Sequence, residues 1–205
     1  MRKFLVIAAA IVRASAGEQV RVTFYDEVAL PAEVRESAVD DLRRIFRQSG
    51  VDLQWVVGAL DAEEASLFLY PGALRKGHEQ EVMCRARRDI ALKINLAPQG
   101  FSPALLGVAQ PMANAGLNAR IFDDRVREAA RRRNLPHAVV LAHAIAHEIG
   151  HVLLRSESHD PHGLMATSWS DYEYRWMAHG LMFFTSDQSR RMRATLRNEP
   201  CASAR

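Results

Sequence analysis

His147-Glu148-Ile149-Gly150-His151 lies inside a stretch that opens at Pro136 and stays helical in pattern through Leu154. Its apolar positions, Val139, Val140, Ile145, Ile149 and Val152, line one face of that helix. Residues four apart on a helix sit one above the other. The two imidazoles are therefore placed to grip one ion from one side, with the Glu148 carboxylate beside it. A carboxylate there can take a proton from a water and hand it to a leaving amine.

On a helix, His-Glu-x-x-His is the pattern of zinc metalloproteases. Two helical ligands do not complete a catalytic zinc site, which takes three protein ligands and keeps one position open. His159, eight residues past His151, is the favoured third ligand. Imidazole suits zinc, and the turn from His159 to Met165 is short and polar. Glu157 is the next candidate, because carboxylates also bind zinc. Glu173, on a downstream helix, is the last.

His143 lies one turn before His147 on the same face, but the helix runs away from a single ion. It reads as a packed or cleft-side group. His162 reads as solvent-facing. Met165 is no ligand, since a thioether binds zinc poorly. Tyr172 and Tyr174 could reach the cleft and steady an oxyanion, with burial or exposure the plainer reading of each.

The segment His147 to His151, His159 and Gly163-Leu164-Met165 resembles the metzincin clan of zinc endopeptidases. In that clan a third His follows the helix, and a tight turn carrying Met lies beneath the metal. Leu106 to Pro111, Gly116 and Ala119 to Asp123 are similar to the edge strand and following strand of its matrixin branch. The chain is also similar to a set of small exported bacterial proteins with the same helix, Ser-x-Ser-His loop and Gly-Leu-Met turn.

The resemblance implies an α/β (α+β) metzincin-like domain. It would have a mixed twisted sheet with an edge strand at the cleft, a long active-site helix, and a small C-terminal lobe with a final helix. It implies Zn2+ held by His147, His151 and His159, Glu148 as catalytic base and acid, and Met165 as support. The implied partner is a peptide or protein in extended conformation, paired with the edge strand. The spacing departs from the clan. There the third His comes six residues after the second, with a Gly three after it; here Glu157 and Leu154 stand in those places. A slightly longer helix and a wider loop are expected.

The leading expectation is thus an exported zinc-dependent endopeptidase. The altered spacing sustains an alternative, a non-catalytic zinc- or peptide-binding protein of the same fold. A third reading, a structural domain with fortuitously aligned histidines, predicts no stoichiometric zinc.

Outward from the motif, Val20 to Tyr25 reads as a first strand and Pro31 to Gln48 as a helix with Val34, Ala38, Leu42, Ile45 and Phe46 on one face. Val51 to Val57 and Ile90 to Leu96 read as strands, and Ser66 to Tyr70 is an ambiguous one. Leu106 to Pro111 and Ala119 to Asp123 read as short strands around a loop, Met112 to Gly116. Thr185-Ser186-Asp187-Gln188 has capping-box form and opens a helix to about Asn198. The expected organisation is one domain over 17–205. Its sheet and active-site helix fill 17–154, and a small lobe covers 155–205.

The first 16 residues read as a signal peptide: Arg2 and Lys3, an apolar run from Phe4 to Val12, then Ala14-Ser15-Ala16 at the cleavage point. A periplasmic or extracellular location follows. Removing this leader takes Arg2, Lys3 and Arg13 from a net charge of +3 and leaves 0. The basic whole-chain pI is then no sign of a nucleic-acid partner, and no stable membrane insertion is expected. Arg131-Arg132-Arg133, the one dense basic patch, reads as a solvated face. In an exported chain Cys84 and Cys201 could pair, or be buried separately as thiols. At 205 residues, 48% hydrophobic and 25% charged, the chain can bury an ordinary globular core. Disorder and a disulfide-dense miniprotein are excluded.

Overall fold

The computed structural model describes residues 17–58, 89–110 and 117–197. Among them, β1 (Glu18–Asp26), β2 (Val51–Val57), β3 (Asp89–Asn95), β4 (Gly107–Gln110) and β5 (Leu117–Phe122) form one sheet in the order β2-β1-β3-β5-β4. The first four strands in that order run parallel; β4 closes the edge antiparallel to β5. The helices are α1 (Ala32–Gln48), α2 (Asp123–Arg132), α3 (His137–Leu154), α4 (Asp171–Ala178) and α5 (Ser186–Arg197).

Side chains of a strand alternate between faces. In β1, Val20, Val22 and Phe24 are buried while Gln19 and Arg21 are exposed. In β3, Ile90, Leu92 and Ile94 are fully buried. These residues share a core with Leu42, Ile45 and Phe46 of α1 and with the apolar side chains of α3. Each such side chain contributes about 1.5–3 kcal/mol by leaving water. Alternation with one apolar face is what the sequence pattern predicts for these strands. Val34 is packed only at the rim of the core.

α3 is buried almost all round, from Ala138 to Leu153. It is the one described helix long and apolar enough to cross a membrane, but 78% of it is buried inside the domain. It is therefore the central core helix, with α1, α2, α4, α5, β4 and β5 packed around it.

One segment differs from the sequence expectation. Asp123 does not end a strand; it opens α2. Val126 and Ala130 face the core, and the buried Asp123 carboxylate accepts from His137 Nε2 at 2.8 Å and pairs with Arg127 Nε at 3.0 Å. That anchor ties α2 to the start of α3. Arg131 and Arg132 close α2, mostly exposed and each paired with Glu128, but Arg132 and Arg133 also line the cleft, so the basic run is not simply a solvated face. The small lobe contains α4, which opens on a capping box: Ser170 Oγ accepts from Tyr172 N while Glu173 reaches back to Ser170 N. The capping box at Thr185 forms as expected, with Gln188 N bonded to Thr185 Oγ1 at 3.2 Å and Thr185 N to Gln188 Oε1 at 2.7 Å. The leader (1–16), Ser66 to Tyr70, the loop Met112 to Gly116, Cys84 and Cys201 lie outside the described residues.

Candidate metal centre

Three histidines converge where α3 meets the loop that follows it. His151 Nε2 lies 3.0 Å from His147 Nε2 and 3.2 Å from His159 Nε2. The three ligand atoms all fall within 4.8 Å of one another. Helical spacing supplies the first two. The third depends on how α3 ends. Arg155 adopts a left-handed conformation (φ 50°, ψ 46°). Ser156 N bonds back to His151 O at 3.2 Å and Arg155 N to Val152 O at 3.3 Å. This pair of bonds is the usual terminator of a helix, with Arg where Gly is favoured. The helix thus runs through Leu154, where the clan pattern has a Gly, and stops at Arg155; the loop starts later, and His159 swings back onto the cluster.

The rings are fixed from behind. His147 Nδ1 donates to Leu164 O at 2.8 Å, and His151 Nδ1 donates to Ser156 O at 2.7 Å. A carbonyl only accepts, so both rings carry their proton on Nδ1 and turn a lone pair on Nε2 toward the shared point. Lone pairs 3 Å apart repel unless a cation lies between them. A tetrahedral zinc with Zn–N of about 2.0–2.1 Å sets nitrogen ligands about 3.3–3.4 Å apart. The observed spacing is within a few tenths of an ångström of that, so the donor set fits a divalent ion. Burial pushes His147 down to about 4 and lowers His151 as well, which keeps both rings neutral near pH 7.

The turn Gly163-Leu164-Met165 does more than pass beneath. Leu164 O accepts from His147 Nδ1 and from Trp169 Nε1, the latter at 3.3 Å. Asp160 N bonds Met165 O at 2.8 Å, and Gln188 Nε2 of α5 donates to Asp160 Oδ2. Met165 is buried and packs under the helix at Gly150, where an added Cβ would lie 2.6 Å from Met165 Sδ and 2.8 Å from Phe184 Cε1. An open helix site gains about 1 kcal/mol when Gly is replaced by Ala. Here crowding wins, because the Phe184 ring cannot move aside as a flexible chain end could. Gly150→Val should cost about 1–3 kcal/mol, lowering Tm by several degrees at about 2–4 °C per kcal/mol. A thermal melt at or above wild type would refute this packing.

Glu148 is 7% exposed and lines the same cleft as the three histidines. Burial raises its pKa to about 8; a cation at the histidine cluster would pull it back down. Its carboxyl makes no side-chain hydrogen bond among the described residues. The backbone of β4 comes so close that a Cβ at Gly107 would lie 2.9 Å from Glu148 Cγ. β4 is the sheet edge, and Gly107, Val108 and Ala109 form one wall of the cleft. The cavity holds about 620 Å³.

The other sequence candidates fall elsewhere. Glu157 lines the cleft but is not among the clustered donors. Glu173 is buried and occupied, accepting from Ser170 N (2.9 Å), Ser170 Oγ (2.5 Å) and Gly163 N (3.2 Å). Burial alone would raise its pKa, but these bonds together lower it. It is a brace between α4 and the Met165 turn. His143 is fully buried and donates Nδ1–H to Val139 O at 2.7 Å. His162 is exposed. Tyr174 lines the cleft, whereas Tyr172 packs at a tilt against Trp176 at the surface. Trp169, whose ring meets His147 edge-on at 5.8 Å, escaped the sequence reading. A lone Trp in a polar loop carries no signal of its own.

No protein-family model matches this chain, and no curated protein sequence matches it. Solved structures do. The chain is similar to archaemetzincin from Methanopyrus kandleri, at TM-score 0.51 and 15% identity, covering 91% of this chain and 99% of that one. It is also similar to a zinc-dependent peptidase from Methanocorpusculum labreanum, at TM-score 0.53 and 11% identity, covering 84% of this chain and 99% of that one. The fold is metzincin-like. At such identities the likeness concerns the fold, and the chemistry must be argued from the side chains above.

Proposed function

We propose that this chain is an exported zinc-dependent endopeptidase, with His147, His151 and His159 as metal ligands and Glu148 as general base and acid. The observation that carries the reading is the convergence of three Nε2 atoms beside a buried carboxylate in a cleft bordered by an edge strand. The metzincin-like fold supports it, because the neighbours of that fold named above include a zinc-dependent peptidase. Export rests on the composition of residues 2–16, and the mature chain acts as one domain.

A zinc ion at this site supplies Lewis acidity, lowering a water's pKa from about 15.7 toward 7 and polarising a carbonyl oxygen. The protein does the rest. Backbone groups along β4 orient an extended peptide by adding it as a strand, in line with the matrixin-like reading of this segment. The Glu148 carboxylate accepts a proton from the attacking water and delivers it to the departing amide nitrogen. Leu164 O and Ser156 O hold the His147 and His151 rings in the tautomer that leaves Nε2 free.

The test is cleavage of an unstructured protein such as casein. Activity should vanish with a chelator and return with one equivalent of zinc. A zinc-saturated protein that cleaves nothing would favour the non-catalytic binding alternative.

A further inference from the structure

The histidines occupy one end of the cleft; the other end is basic. Arg125, Glu128, Ala129 and Arg132 of α2 and the adjacent Arg133 line it. Positions 125, 128, 129 and 132 are three or four apart, so they share one helix face, and that face looks into the cavity. An aromatic wall joins the two ends. Trp169 lies 5.8 Å from the His147 ring, Tyr174 lies 6.1 Å from Trp169, and Arg133 Cζ sits 4.9 Å over the Tyr174 ring.

The charge at this end is not balanced by its own carboxylate. Glu128 is shared, accepting from Arg131 Nη2 and from Arg132 Nε, each at 2.5 Å. Those bonds, from Arg132 first and Arg131 second, hold its carboxyl below the ordinary range. Arg125 Nε is buried 3.4 Å from Asp124 Oδ2 but makes no hydrogen bond among the described residues. Arg133 faces Asp171, which is 73% exposed on its side chain. An exposed pair of this kind is worth about 0–1 kcal/mol, so it exchanges readily for an incoming anion. The remaining cleft carboxylates, Glu148 and Glu157, belong to the histidine end.

We propose that the α2 end of the cleft is a carboxylate-binding subsite, in which Arg125, Arg132 and Arg133 hold an acidic side chain or the free C-terminal carboxylate of the peptide. Guanidinium groups pair with carboxylates through two parallel hydrogen bonds, which gives orientation as well as affinity. An extended chain advances about 3.3–3.4 Å per residue. The path over these rings from His147 to Arg133 is spanned by about five extended residues or fewer, so a carboxylate that near the cleaved bond reaches Arg133. This inference rests on the peptidase reading and names its substrate class.

The test uses zinc-loaded protein carrying Glu148→Gln, so that binding is read without turnover. Fluorescent peptides of one sequence differ only in Glu against Gln at each position, or in a free against an amidated C-terminus. Fluorescence anisotropy should show one acidic member binding about tenfold tighter than its neutral twin. Whether that member carries Glu or a free terminus separates the two carboxylate sources. Adding Arg133→Glu should bring the ratio to one or below, and Arg132→Gln, a milder surface change, should reduce it. Equal affinity for every acidic and neutral pair, or a preference that survives both variants, overturns the subsite. Absence of cleavage by the zinc-loaded wild type counts against the peptidase reading alone; equal kcat/KM for acidic and neutral peptides counts against the subsite alone.

Discussion

Replacing Glu148 with Gln should leave zinc bound and remove nearly all peptidase activity. The exchange keeps size and shape, so contact with Gly107 on β4 is preserved and the three histidines are untouched. What is lost is a group that can accept a proton. Positioned general acid–base catalysis contributes about 10²–10⁴-fold, and in the proposed mechanism Glu148 serves both halves of the reaction. A fall of that size in kcat/KM is expected, with metal analysis still reporting one zinc per chain. Activity within tenfold of wild type would remove Glu148 from the mechanism. Loss of zinc together with activity would mean that the residue builds the site instead of working in it.

His159→Ala should abolish tight zinc binding while leaving the metal-free fold almost as stable as before. His159 is exposed, and surface substitutions away from special features usually stay within about ±0.5 kcal/mol. Zinc at a thousandfold above its Kd stabilises the wild type by about 4.1 kcal/mol. At about 2–4 °C per kcal/mol, that is a rise in Tm of roughly 8–16 °C, and the variant should lose most of it. Glu157→Gln is the control for the rival ligand and should keep the zinc-dependent rise. The opposite result, with Glu157→Gln losing the rise and His159→Ala keeping it, would exchange the two assignments.

How much could be read in advance differs by element. β1, β2, β3 and α1 were legible because each buries one regular face, and periods of two and 3.6 leave a mark in the chain; α3 was legible from its long apolar run after Pro136, although it is buried almost all round. α2 was not. It spans only Asp123–Arg132, and its buried side is little more than Val126 and Ala130. Its anchor, Asp123 with His137, joins positions 14 residues apart that no local pattern connects. The centre divides in the same way. His147, Glu148 and His151 were legible because one helix presents them together. Trp169, the Leu164 carbonyl and the arginines of α2 were not, because they meet the histidines only through packing.

By itself, then, the chain determined a helix bearing two imidazoles and a carboxylate on one face, and a sheet with one apolar side. Both follow from local periodicity, which survives without any long-range contact. Only the tertiary structure decided that His159 closes the cluster where Glu157 and Glu173 had been open alternatives. The reason is that a loop's reach depends on where the helix before it stops. Here that stop is a left-handed Arg155, and the carbonyls of Ser156 and Leu164 then orient the His151 and His147 rings from behind.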